Sequence, residues 1–144
     1  MVALNEIVYV VDENLLRLGK GMVAVRRDAG RFTEAPLDEL LPEGIDDVDW
    51  IPIVGDNGWV VITNDRRIRT RPAESQLAIE HRLKVVHLHG AVGTALAWDQ
   101  LIRVTGRWNA VERQVASNPS GPWWLSLRTV GTRVMRYEPG KVER

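Results

Sequence analysis

Apolar and polar positions along this 144-residue chain fall into two kinds of run. The first is a short continuous apolar run bounded by turn residues, the pattern of a strand covered on both faces. Glu6–Val11 (EIVYVV), Trp59–Thr63 (WVVIT) and residues 84–89 (KVVHLH) have it. The second repeats apolar residues every three or four positions, the pattern of a helix with one buried stripe. Leu15, Leu18, Met22 and Val25 recur this way, with Asp12 or Asn14 placed to cap the helix and Gly19 and Gly21 weakening it. RPAESQLAIEHRL (71–83) is a helix with proline near its start. Leu101, Val104, Trp108, Val111 and Val115 predict one long helix from Trp98 to about Ser117.

The intervening residues are less regular. Residues 30–44 are turn-rich, with a short strand near Arg31–Glu34, and GIDDVDWIPIVGDNG (44–58) is a short helix with an acidic start. Pro52 suits a first turn but not the depth of that helix. After the turn NPSGP, the segments WWLSLRT and RVMRYEP predict an antiparallel hairpin across VGT. Strands alternating with helices predict an α/β domain with a parallel sheet, to which the hairpin is an appendage. The expected organisation is a single domain over 1–144, its strand–helix core at about 6–118 and its hairpin at about 122–139.

Composition narrows the chemistry. Apolar residues at 44% and charged residues at 26% are ordinary for a globular domain. With no cysteine, disulfides, thiolate metal sites and a catalytic thiol are excluded. The N-terminal MVALNEIVYVVDEN has no basic flank and too short an apolar run for a signal peptide or membrane span. A cytoplasmic protein with no membrane partner is expected. Net charge is zero, yet residues 1–56 hold 12 acidic and 5 basic side chains while residues 57–144 hold 7 and 14. Either the halves pair with each other on folding, or an acidic site lies beside a basic surface.

Two apolar strands run into aspartate, YVV-Asp12 and VITN-Asp65, and ligands of open parallel sheets sit at the carboxyl ends of strands. If those strands are neighbours, Asp12 and Asp65 converge, and the helix start with Asp46, Asp47 and Asp49 can bring a third carboxylate. Crowded carboxylates repel, so at least one stays partly protonated unless a hard divalent cation such as Mg²⁺ or Mn²⁺ is present. A water on such an ion can attack a phosphodiester. Each aspartate also has a purely structural role open to it: Asp12 as a cap, Asn64-Asp65 as a turn, Asp47 as partner of a helix dipole.

VYVVDENL, DDVDWIPIV and GWVVITNDRRI, in this order, resemble the PIN-like domain superfamily, most closely the VapC-type toxins of bacterial toxin–antitoxin pairs. The resemblance spans roughly residues 6–90 by motif; the later helix and hairpin agree in order only. It implies a three-layer α/β/α fold around a mainly parallel sheet, and a Mg²⁺- or Mn²⁺-dependent endoribonuclease with RNA as substrate and an antitoxin protein as partner. Catalytic and metal-holding roles fall on Asp12, Asp47 and Asp65, with Asp49 or Asp46 as alternatives for the middle acid. The further acid that the family often adds after the last of these strands has no counterpart, since Arg66 and Arg67 follow directly. A PIN-like module that binds protein or RNA without cleaving it is the alternative, and the oligomeric state, a homodimer included, is left open.

Arg66, Arg67, Arg69 and Arg71 start where the carboxylates end, and their planar forks suit RNA phosphates on either side of a scissile bond. A solvated flank that pairs with the acidic half is the other reading of them. His87 and His89 share one face of their strand, with no third metal ligand at a telling spacing. Trp123 and Trp124 point to opposite faces, which leaves one of them available for an RNA base or a partner protein.

Overall fold

The computed structural model describes residues 3–140; the first two and last four residues of the expected single domain lie outside the described residues. Among the described residues six strands form one sheet in the order β2-β1-β3-β4-β5-β6. They are β1 (Tyr9–Val11), β2 (Ala29–Arg31), β3 (Val60–Thr63), β4 (Lys84–Leu88), β5 (Trp123–Leu127) and β6 (Thr132–Met135). All pairings are parallel except β5 with β6. The expected α/β class with a mainly parallel sheet and a closing hairpin therefore holds. Every residue of β1, β3, β4 and β5 is buried, as their unbroken apolar runs require.

Helices cover both faces. Leu18 and Met22 of α1 (Leu16–Val25), Val104 of α5 (Ala97–Gly106) and Val111 of α6 (Trp108–Ser117) pack with Val11, Ile62, Val86 and Leu125 on one side. Trp50, Ile51 and Val54 of α2 (Asp47–Asp56) and Ala78 of α3 (Pro72–Glu80) pack with Val10, Val61, Val85 and Trp124 on the other. A further short helix, α4 (Ala91–Thr94), follows β4. Among the described residues no helix is long and apolar enough to cross a membrane.

Several expectations need correction. The first strand is shorter than Glu6–Val11, because Leu4–Glu6 coil into a 3-10 turn. Gly19 does not break α1. A Cβ there would lie 2.8 Å from the Arg31 side chain and 3.3 Å from Val11, so the glycine lets the helix lie close on the sheet. The long helix of 98–117 is two helices. Arg107, at φ −112° and ψ 12°, leaves helical geometry, and its guanidinium donates to the Thr129 and Gly131 carbonyls in the β5–β6 turn. The hairpin is no appendage, since β5 pairs along its whole length with β4. For the same reason Trp123 and Trp124 are both buried, one in each core. Pro52 does lie inside α2; the carbonyl it leaves without a helical donor belongs to Val48, on the exposed side.

The placement of α2 matters most for the site, because its first residue is Asp47. Gly55 sets how closely α2 approaches the end of α3: a Cβ there would lie 2.3 Å from the His81 carbonyl oxygen. We expect Gly55→Ala to destabilise the fold by a net ~2 kcal/mol, the overpacking cost of roughly 3 exceeding the ~1 gained in helix propensity. Urea denaturation measures it, and an unchanged midpoint would show that α2 can shift freely.

Candidate active site

β1 and β3 are direct neighbours, with Val11 opposite Ile62. The next residue of each, Asp12 and Thr63, therefore stand side by side just past the last apolar pair, and the Asp12 backbone N–H donates to the Ile62 carbonyl at 3.0 Å. The Thr63 hydroxyl donates to Asp12 Oδ2 at 2.8 Å and accepts the Asp65 backbone N–H at 3.0 Å. One buried hydroxyl thus ties the two strand-end aspartates to each other. Thr63 is also in register with His87, and His87 with Ser126. Asp12, Thr63, His87 and Ser126, all buried, form a polar row across the carboxyl end of the parallel strands.

The third carboxylate comes from α2. Asp47 is half-buried and its Oδ1 accepts from the Trp50 indole N–H at 2.9 Å, whereas Asp46 and Asp49 are exposed. Burial pushes the Asp47 carboxyl up, against the Trp50 bond, and the charge of Asp65 pushes the same way. Burial likewise raises Asp12, against bonds from Thr63 and the Asn14 backbone, and the charges of Asp47 and Asp65 raise it further. The structure so brings Asp12, Asp47 and Asp65 within electrostatic reach of one another.

Asp65 behaves differently. Burial would raise it too, but bonds from the Arg67 side chain and backbone hold it below the ordinary carboxylate value. Arg67 grips both oxygens, Nε to Oδ1 at 3.0 Å and Nη2 to Oδ2 at 3.1 Å, and its backbone N–H donates to Oδ1 at 3.0 Å. Asp65 thereby caps the 3-10 turn Arg66–Arg69, which is the local reason the chain swings four arginines past the strand tip.

Those arginines part company. Arg66, Arg67 and Arg71 are exposed beside the carboxylates. Arg69 is buried, and its Nη1 donates to the Arg136 carbonyl at 2.9 Å and to Glu138 at 3.1 Å. Its place in the expected RNA-binding set is corrected on that ground, because it clamps the C-terminal segment rather than facing solvent. Among the described residues Arg26 with Asp28, Arg31 with Glu34, Arg67 with Asp65 and Arg69 with Glu138 each pair within their own half, while Asp56 of the acidic half meets His81 of the other at 2.8 Å.

Three carboxylates of which two are raised by burial and by their neighbours are a donor set suited to a hard divalent cation. As placed, each is turned to an internal donor, Thr63, Trp50 or Arg67. Among the described residues no three acidic or histidine side chains stand close enough to hold an ion. A cation here would have to draw Asp65 from Arg67. His87 and His89 do not add a metal pair to the set; the His87 ring stacks on Trp124, centroids 4.9 Å apart. The sequence reading missed Thr63 as the link between the aspartates, although a threonine two residues before an aspartate at a strand end was a usable signal.

A raised carboxyl pKa in the folded protein favours folding only while the group is protonated. Asp12 therefore contributes most below the ordinary aspartate value and works against the fold once pH has risen through its raised value. We expect Asp12→Asn, in EDTA, to raise the melting temperature at pH 7 and to lose that gain near pH 4, around the ordinary value. Calorimetry at both pH values measures this; equal gains would mean that charge is not the cause.

A family model described as a PIN like domain matches residues 7–90. No curated protein and no solved structure matches the chain. The matched span contains Asp12, Asp47, Asp65 and the strands β1–β4 that carry or flank them.

Proposed function

The chain belongs to the PIN-like domain family, and from that premise we propose that it is a divalent-metal-dependent endoribonuclease, the toxin of a toxin–antitoxin pair of the VapC type. The observation that carries the reading is the convergence of Asp12, Asp47 and Asp65 at the carboxyl ends of β1 and β3. These three would hold Mg²⁺ or Mn²⁺. When bound, such an ion supplies a water of lowered pKa and neutralises charge on a phosphodiester. The chain's own part is positional. Thr63 fixes Asp12 relative to the Asp65 backbone, and Trp50 orients Asp47. Arg66, Arg67 and Arg71 offer exposed forks to the RNA backbone. Arg67 would have two competing partners in this scheme, Asp65 and an RNA phosphate, and engagement by the phosphate would leave Asp65 able to serve as a ligand.

A second reading is favoured by the Arg67–Asp65 pair, which already neutralises one carboxylate. On that reading the domain binds RNA or protein without cleaving it. Cleavage assays on a varied RNA pool separate the two. The nuclease reading expects cleavage with Mg²⁺ or Mn²⁺, none in EDTA, and near-inactivity of Asp12→Ala and Asp65→Ala; RNA binding with no cleavage under any metal would favour the second.

Metal binding has its own readout. Mn²⁺ should raise the melting temperature of the wild type by mass action on the native state, and Asp65→Asn should lose most of that rise. Identical Mn²⁺ affinity of the two proteins by isothermal titration would dismiss the shared site. For the arginines, Arg66→Gln/Arg71→Gln should weaken RNA binding similarly across sequences. It should also make the log-affinity salt slope shallower by about one unit, at roughly 0.7 for each phosphate of a single strand that is no longer neutralised. An unchanged slope would move the RNA path to Arg128, Arg133 and Arg136. The toxin assignment predicts a neighbouring gene for a small DNA-binding protein that forms a complex with this one and silences its cleavage.

A further inference from the structure

Beside Asp65, on the β4 side of the carboxylates, a cavity of about 510 Å³ opens between Asn64, Arg66, Arg67, His87 and His89. Its size is within the range of small-molecule sites, roughly 300–1,000 Å³. Asp12 and Asp47 are not among its walls. It therefore continues the site along the polar row rather than repeating it.

Unlike groups line the cavity. Arg66, exposed, brings positive charge, and Arg67, also exposed, shares its guanidinium with Asp65, which lines the cavity too. Trp124, His87 and His89 form a file of flat rings: Trp124 to His87 is 4.9 Å and His87 to His89 is 6.0 Å, nearly edge to face. The buried pair Trp124–His87 holds the half-buried His89 at the cavity wall. The Asn64 amide donates through Nδ2 to the Gly93 carbonyl at 3.1 Å, which leaves its Oδ1 as an acceptor. Gly93 is itself fixed, since a Cβ there would lie 2.5 Å from the Leu88 carbonyl oxygen and the Gln100 amide also donates to its carbonyl. Exposed guanidinium, an imidazole at the wall and an amide acceptor match a phosphate, a base plane and a base-edge donor in turn.

We propose that this cavity is a single-nucleotide pocket for the residue of a single RNA strand next to the phosphate presented at Asp65. Its phosphate meets Arg66 and Arg67, its base lies on His89, and Asn64 reads a donor on the base edge. The proposal rests on the RNA reading above for its substrate class but needs neither metal nor cleavage.

The test uses the full chain in EDTA with adenosine and uridine 5′-monophosphates, the free nucleosides and inorganic phosphate, followed by NMR amide shifts. Nucleoside monophosphates should shift both the Arg66–Arg67 and the His89–Gly90 amides, inorganic phosphate only the former. His89→Ala should weaken monophosphate binding about tenfold, as loss of one base stack does, and leave inorganic phosphate unaffected. His89→Phe should retain the affinity. Equal binding of monophosphate and inorganic phosphate, with shifts confined to the arginines, would overturn the pocket, and it requires no variant to fold. Monophosphate binding of the expected pattern in a protein that cleaves no RNA would uphold the pocket while the nuclease reading fails. Cleavage of RNA without any shift at the His89–Gly90 amides would do the reverse.

Discussion

The hydrogen bonds around Thr63 are the constraint on which the site depends. Its hydroxyl donates to Asp12 and accepts from the Asp65 backbone, and it can do both only because β1 and β3 pair in the register that sets Val11 against Ile62. A slip of one residue would turn Asp12 to the opposite face of the sheet and Thr63 away from it. That register is held by the apolar residues themselves, which alternate between two separate cores. Hydrophobic burial on both faces thus does the positioning, and the polar row at the strand ends inherits the result.

The same arrangement stores a conflict. Asp12 and Asp47 are raised by burial and by negative neighbours, while Asp65 stays ionised because Arg67 grips both its oxygens. On the proposed reading this unfavourable charge is what a cation would relieve, and Arg67, which is exposed, is the group that would be exchanged for it.

Much of this was legible in the chain because the signals were local. Continuous runs such as WVVIT admit little but a doubly covered strand, and a strand that ends in aspartate sets a carboxylate at one named end of the sheet. The match of β3, β4 and β5 to their apolar runs follows from that. The missed features depend on contacts between distant residues. The stripe from Leu101 to Val115 has unbroken helical period, yet Arg107 leaves the helix to bond carbonyls of the β5–β6 turn. The exposure expected of one tryptophan fails because β5 is an interior strand with helices over both faces.

The sequence alone determined the alternation of elements, the two strand-end aspartates and the density of arginine after the second, since each is a matter of residue type within a few positions. It could not separate Asp47 from Asp46 and Asp49, or Arg69 from its neighbours. Those choices belong to tertiary structure. Asp47 is the one that the Trp50 indole turns inward, where Gly55 lets α2 settle on α3. Arg69 is withdrawn to Glu138, nearly seventy residues away along the chain. A side chain's type is written locally, but the direction it faces is decided by what packs around it, and an arginine is equally at home on a phosphate or clamped to a carboxylate.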